Sequence, residues 1–206
     1  MWKLVSGISL TLCLFAMADD TCPEPSVSVK CCGRLRHGVV AIGGETTGTT
    51  ITFNRIVWEL QLRDDAAREF AEKHNKDSVV VTGTLRKISG TEVKTRWIID
   101  VKTLSERDAT TDKEGTRLTI HGTLHAADPR TGDSPEFTID ANGEVWPVDL
   151  TSDAMRQIKP ESFVGKSVLI TGSLEQVTDE DSGEPMIIRV KTLKLSAKAP
   201  VHGQSD

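Results

Sequence analysis

Val79-Val80-Val81-Thr82-Gly83-Thr84-Leu85 returns 89 residues later as Val168-Leu169-Ile170-Thr171-Gly172-Ser173-Leu174. Ile99-Asp100-Val101-Lys102-Thr103-Leu104 returns at the same offset as Ile188-Arg189-Val190-Lys191-Thr192-Leu193. Two matches at one offset preserve the spacing between them. A period of this length exceeds that of solenoid repeats and predicts two copies of one small unit.

Working outward, each copy carries the same order of elements. A glycine-containing strand is expected over 35–42 and again over 118–126, each with a His-Gly pair, His37-Gly38 and His121-Gly122. A Gly/Thr-rich turn (43–49) or an Asp/Pro/Gly-rich one (128–135) follows. Second strands are read at 50–54 and 136–141, and third strands with a tryptophan at 56–62 and 145–150. Asp64 and Asp65 are good caps for a helix over 66–74, which puts Ala66, Ala67, Phe70 and His74 near one face. In the second copy Ser152 or Asp153 caps a shorter helix that stops before Pro160. The repeated strands close each copy, at 78–87 with 92–104 and at 167–177 with 185–195. Alternation turns Trp97, Ile99 and Val101 inward, and likewise Met186, Ile188 and Val190.

Three strands, a helix and two strands in one small unit is the order of the OB-fold, a five-stranded Greek-key barrel. The chain resembles small exported bacterial proteins with OB-like domains. The stretch Gly165-Lys166-Ser167-Val168-Leu169-Ile170-Thr171-Gly172-Ser173-Leu174 matches their entry into the fourth strand, whereas the first copy has Lys76-Asp77-Ser78 there. The resemblance implies an all-β protein with one short helix per repeat, two tandem five-stranded OB-like barrels, and a leaning towards binding. An eight-stranded or sandwich arrangement formed jointly by both copies is the alternative. The expected division is a signal peptide (1–18), a Cys-containing arm (19–32), domain 1 (33–104), a linker (105–115), domain 2 (116–197) and a mobile tail (198–206).

Lys3, the apolar run 4–16 and Ala16-Met17-Ala18 form the pattern of a secretory leader cleaved after Ala18, which predicts a secreted or periplasmic protein. The apolar run falls short of the roughly 20 residues that span a bilayer. Three cysteines follow it, Cys22, Cys31 and Cys32. In an oxidising compartment Cys22 is expected to pair with Cys31 or Cys32, leaving one thiol over and stapling an arm outside the core.

No Gly-x-Ser-x-Gly elbow, His-Glu-x-x-His, phosphate-binding loop or CxxC pair occurs, so neither an enzyme, nor a cofactor, nor a metal site is expected. His121 and His125 are roughly 13 Å apart along a strand, too far to share a metal. His37 and His121 read as locally hydrogen-bonded, and the acidic turns as solvated hairpins.

Past Lys3 the chain has 24 basic and 30 acidic residues and no tyrosine, which speaks against nucleic acid as a partner of the whole protein. The charge is uneven. Residues 33–104 hold 12 basic and 9 acidic groups; residues 116–197 hold 8 and 13. The reversal concentrates between the last two strands, where the first copy has Arg86, Lys87, Lys94 and Arg96 and the second has Glu175, Glu180, Asp181 and Glu184. It fits two diverged solvated surfaces, docking of one copy on another, or a polyanion site. The resulting expectation is an exported, non-catalytic envelope module contacting a protein or polysaccharide. The alternative is an anionic ligand, nucleic acid or polysaccharide, held by Arg86, Lys87, Lys94 and Arg96.

Overall fold

The computed structural model describes residues 24–40, 47–88, 96–126, 136–176 and 186–196. The leader-like residues 1–18, Cys22, Lys94, the turns at 128–135 and 179–184 and the tail all lie outside them.

The first five strands are β1 (Ser26–Val40), β2 (Thr47–Phe53), β3 (Ile56–Gln61), β4 (Ser78–Ile88) and β5 (Arg96–Glu106), with helix α1 (Asp65–Lys73) between β3 and β4. β1 pairs antiparallel with β2 and with β4, β2 with β3, and β4 with β5; β3 runs parallel to β5. That circuit closes a five-stranded barrel. The further strands β6 (Gly115–Ala126), β7 (Phe137–Ala141), β8 (Glu144–Asp149), β9 (Ser167–Gln176) and β10 (Met186–Leu195) pair among themselves in the same order, with β8 parallel to β10. The two sets join where β1 lies antiparallel to β6, from Ser26↔His121 to Cys32↔Gly115.

β1 starts earlier than its turn residues suggest. Ser26-Val27-Ser28-Val29-Lys30-Cys31 alternates with period two, and Val27, Val29 and Cys31 are buried in the core. The part of the expected arm from Ser26 to Cys32 is therefore sheet. Cys31 and Cys32 are free thiols inside it, and burial raises the pKa of both. The pairing of copies through their His-Gly dipeptides is also corrected. The glycines that match are Gly33 and Gly122, again 89 apart. A Cβ on either would come within 2.4 Å of Thr52 O or 2.2 Å of Asp140 O, because β1 and β6 curl there against the next strand's backbone.

α1 forms as its cap predicts, with the Asp64 carboxylate accepting from the Ala67 amide at 2.7 Å. Its buried residue is Ala71, while Ala66 is exposed. The second copy has two 3-10 turns, Asp153–Met155 and Pro160–Phe163, in place of a helix. Seven residues between Ser152 and Pro160 are too few to repay helix nucleation, and Pro160 lacks the amide to continue one.

Trp97 and Met186 pack on the core as alternation predicts. Trp58 and Trp146 are fully buried. Trp97 stacks on Trp58 at 6.1 Å between ring centroids and meets Trp146 at 5.5 Å, so aromatic contacts run from one half of the molecule into the other.

Candidate nucleic-acid interface

The outer surface of the β1–β5 barrel is set by strand register. Arg36 lies beside Thr50, Thr50 beside Glu59 and Glu59 beside Ile98; in the next row Arg34 lies beside Thr52 and Thr52 beside Val57. Leu35, between the two arginines, is fully buried, which turns both arginines outward. Arg63 follows β3, and Arg86 and Arg96 come from β4 and β5. Five guanidinium groups thus share the outside of one barrel with the carboxylates of Glu59 and Asp100.

Those carboxylates orient the arginines. Arg96 donates two bonds to Glu59, Nε to Oε1 at 2.6 Å and Nη2 to Oε2 at 2.5 Å. Arg86 reaches Asp100 through Nε at 2.7 Å and Nη2 at 3.1 Å, and Nη2 also meets Gln61 Oε1 at 2.8 Å. Arg63 Nη2 stands 3.5 Å from the same Asp100 carboxylate. Arg34 Nε donates to the Lys76 carbonyl at 3.1 Å. Bidentate pairing fixes the plane of a guanidinium and lowers the entropy lost when it meets a second anion.

The other half reverses this chemistry at matching places. Thr123 and His125 stand where Arg34 and Arg36 stand, and Thr151 where Arg63 does. The Arg86–Asp100 pair becomes Glu175–Arg189, with Arg189 Nε on Glu175 Oε2 at 2.8 Å. The ion pair keeps its position and exchanges its signs.

Of the four basic residues singled out in the sequence, Arg86 and Arg96 lie on this face and Lys94 is outside the described residues. Lys87 points the other way, as a neighbour of Arg86 in a strand must. Its ammonium donates to the Val145 carbonyl at 2.7 Å and sits 4.2 Å from the Trp146 ring centroid, while its amide faces the Glu144 carboxylate. Burial lowers the Lys87 pKa, with Glu144 opposing. Lys87 therefore joins the halves and does not serve the surface. Arg34, Arg36 and Arg63 are the residues that a focus on the hairpin overlooked.

Among the described residues no Phe or Trp side chain is exposed, so guanidinium planes are the stacking surfaces available on this face. His37 bonds locally as expected, Nδ1 to Thr49 Oγ1 at 2.7 Å. His121 does not, for its Nδ1 is buried without a partner among the described residues. No group of three metal-ligating side chains converges among the described residues.

The chain matches no protein-family model and no curated protein sequence. Among solved structures it is similar to a deletion variant of the single-stranded DNA binding protein from Thermus aquaticus, with a TM-score of 0.55 and 12% identity over 87% of this chain and 99% of that one. The wild-type protein gives a TM-score of 0.50 and 11% identity over 88% and 98%. At such identity the likeness establishes an OB-like fold and no more. It overturns the expectation of an exported envelope module for which nucleic acid is an unlikely partner, because both solved structures that share the fold over nearly their whole length are of a single-stranded DNA binding protein. The net negative charge averages an arginine-bearing surface with an acidic half and describes neither.

Proposed function

We propose that this protein binds single-stranded nucleic acid without catalysis, using two tandem OB-like barrels of which the first carries the strand. The observation that carries the reading is the set of Arg34, Arg36, Arg63, Arg86 and Arg96 on the outside of one barrel, with Arg96 oriented by Glu59 and Arg63 and Arg86 by Asp100. Phosphates would meet the outward donors of these guanidinium groups, and bases would lie on their planes and on Val57, which is 57% exposed. The fold shared with single-stranded DNA binding proteins over 87% of the chain supports it. So does the pairing order of β6–β10, which repeats that of β1–β5 and is the order a second barrel would need.

The test is fluorescence anisotropy with a labelled oligothymidylate over a range of salt. Three to five phosphate contacts predict a slope of log K against log salt of about −2 to −3.5 for a single strand. Arg34→Glu/Arg36→Glu should weaken binding by more than about tenfold and flatten the slope. Lys159→Glu/Lys194→Glu, an equal charge change on exposed residues of the other half, should do far less. No retention at low salt, or equal losses from both variants, removes the reading.

A further inference from the structure

The second half has a different surface feature on its own outer side. A cleft of about 410 Å3 opens between β7, β8, the start of β10 and the two 3-10 turns, within the range of about 300–1,000 Å3 usual for ligand sites. Its lining mixes apolar and polar groups, and the apolar side chains include Phe137, Leu150, Met155, Ile158 and Ile187. Its carboxylates are Glu136, Asp149 and Glu161. The cationic residue in the lining, Arg156, is paired with Asp153 at 2.8 Å.

The cleft exists because of how this half is built. Between β3 and β4 the first half inserts a nine-residue helix that buries Ala71 and packs Phe70 on the core. Between β8 and β9 the second half has only short turns, contributing Met155 to the core. Asp149 is fixed in the cleft wall. Burial raises its carboxyl pKa, but the Thr151 hydroxyl and amide together with Arg189 outweigh that and hold it below the ordinary range. The cleft thus sets apolar side chains beside three carboxylates and one arginine. A phosphate backbone is repelled by these carboxylates, and the first half's arginine face offers no apolar anchor to fill the cleft.

We infer that this cleft is a docking site for a partner protein, taking a short segment in which an apolar side chain is flanked by lysine or arginine. The apolar side chain would enter between Phe137, Met155 and Ile187, and the flanking cations would meet Glu136 and Glu161, both exposed. The molecule would then hold nucleic acid on one half and a protein on the other. This inference does not depend on the nucleic-acid reading, since it concerns separate residues.

The test is an NMR titration of the isotopically labelled full chain with two acetylated, amidated peptides, KLFKG and ELFEG. The basic peptide should give saturable shifts at Phe137, Leu150 and Ile187 with millimolar affinity, and the acidic one none. Glu136→Lys/Glu161→Lys, at exposed positions that leave the core intact, should abolish the response. Arg34→Glu/Arg36→Glu should leave it unchanged even if that variant has lost nucleic acid. Equal binding of both peptides, no saturable shift, displacement by oligothymidylate, or matching shifts from raising the protein concentration alone would each overturn the inference. The last of these would assign the cleft to a second copy of the chain.

Discussion

Val29 and Leu118 face each other across β1 and β6, and they are the same position in the two copies, 89 residues apart. A residue that pairs with its own counterpart lies on a local two-fold axis, so every other pair across this seam has a mirror. Arg117 opposite Lys30 corresponds to Ser28 opposite Thr119. Each copy thereby spends the first half of its first strand on the other copy, and the seam adds backbone hydrogen bonds to the tryptophan contacts beneath it. The Thr82–Thr103 hydroxyl pair at 2.5 Å and its counterpart Thr171–Thr192 at 2.6 Å show how closely the copies agree away from their charged surfaces.

Such a seam predicts that the halves unfold together. Urea denaturation followed by tryptophan fluorescence and by far-ultraviolet dichroism should give coincident single transitions. Trp97→Ala removes a ring that touches Trp58 and Trp146, and it should cost about 3 kcal/mol while separating the two transitions. Two resolved transitions in the unaltered protein would refute the coupling.

Arg55 has φ +67° in the β2–β3 hairpin, directly after Asn54 at +45°, whereas the matching β7–β8 turn uses Asn142-Gly143. Two successive positive φ angles are the turn for which Asn-Gly is preferred. Arg55→Gly should therefore stabilise the protein by about 0.5–1 kcal/mol, read as an upward shift of the urea midpoint at constant slope.

The exchanged ion pair offers a charge-swap cycle. Glu175→Arg places two arginines together and should lower stability slightly, as should Arg189→Asp with two carboxylates. The double variant reproduces the order seen in Arg86–Asp100 and should recover the loss. Because Arg189 is half exposed, the coupling should stay below about 1 kcal/mol and shrink with salt. A double variant as unstable as the sum of the singles would show that the two sites are not equivalent.

The segment between the halves is tied down by Lys30 on Asp112 at 2.8 Å and by Asp108 on Thr110. The Lys30 side chain lowers the pKa of Asp112, and bonds from Thr110 lower that of Asp108. A carboxyl depressed in the folded state contributes fully above its unfolded value, about 4, and its contribution is lost as pH falls through the folded value. Carboxyl carbon NMR should show both groups titrating below the ordinary range, and Lys30→Met should return Asp112 towards it. An unchanged Asp112 in that variant would disprove the contact.

Cys31 and Cys32 are buried in β1 and burial raises the pKa of both, so neither thiol should react while the chain is folded. With Cys13 and Cys22 replaced by serine, labelling by an aromatic disulfide should proceed no faster than unfolding. Fast labelling of either would place β1 outside the sheet.

Much of this was legible in residue order. The period of 89, the inward set Trp97, Ile99, Met186 and Ile188, and the Asp64 cap follow from local rules of alternation and capping, which need no partner to operate. Arg34-Leu35-Arg36 also announces two outward arginines, and Arg86-Lys87 two opposite directions, once strand alternation is applied to them. What residue order could not supply was the identity of neighbours. Ser26 to Lys30 alternates as cleanly as any strand, yet only the arrival of β4 and β6 on its two sides makes it sheet and turns Cys31 from a staple into core. Arg63 and Arg86 meet at Asp100 because β3 runs parallel to β5, a pairing between segments nearly 40 residues apart. Composition and pattern determined that two similar β units would form; which charges share a surface, and that Val29 would meet Leu118, were decided by long-range strand pairing, where burial and backbone hydrogen bonding are satisfied together.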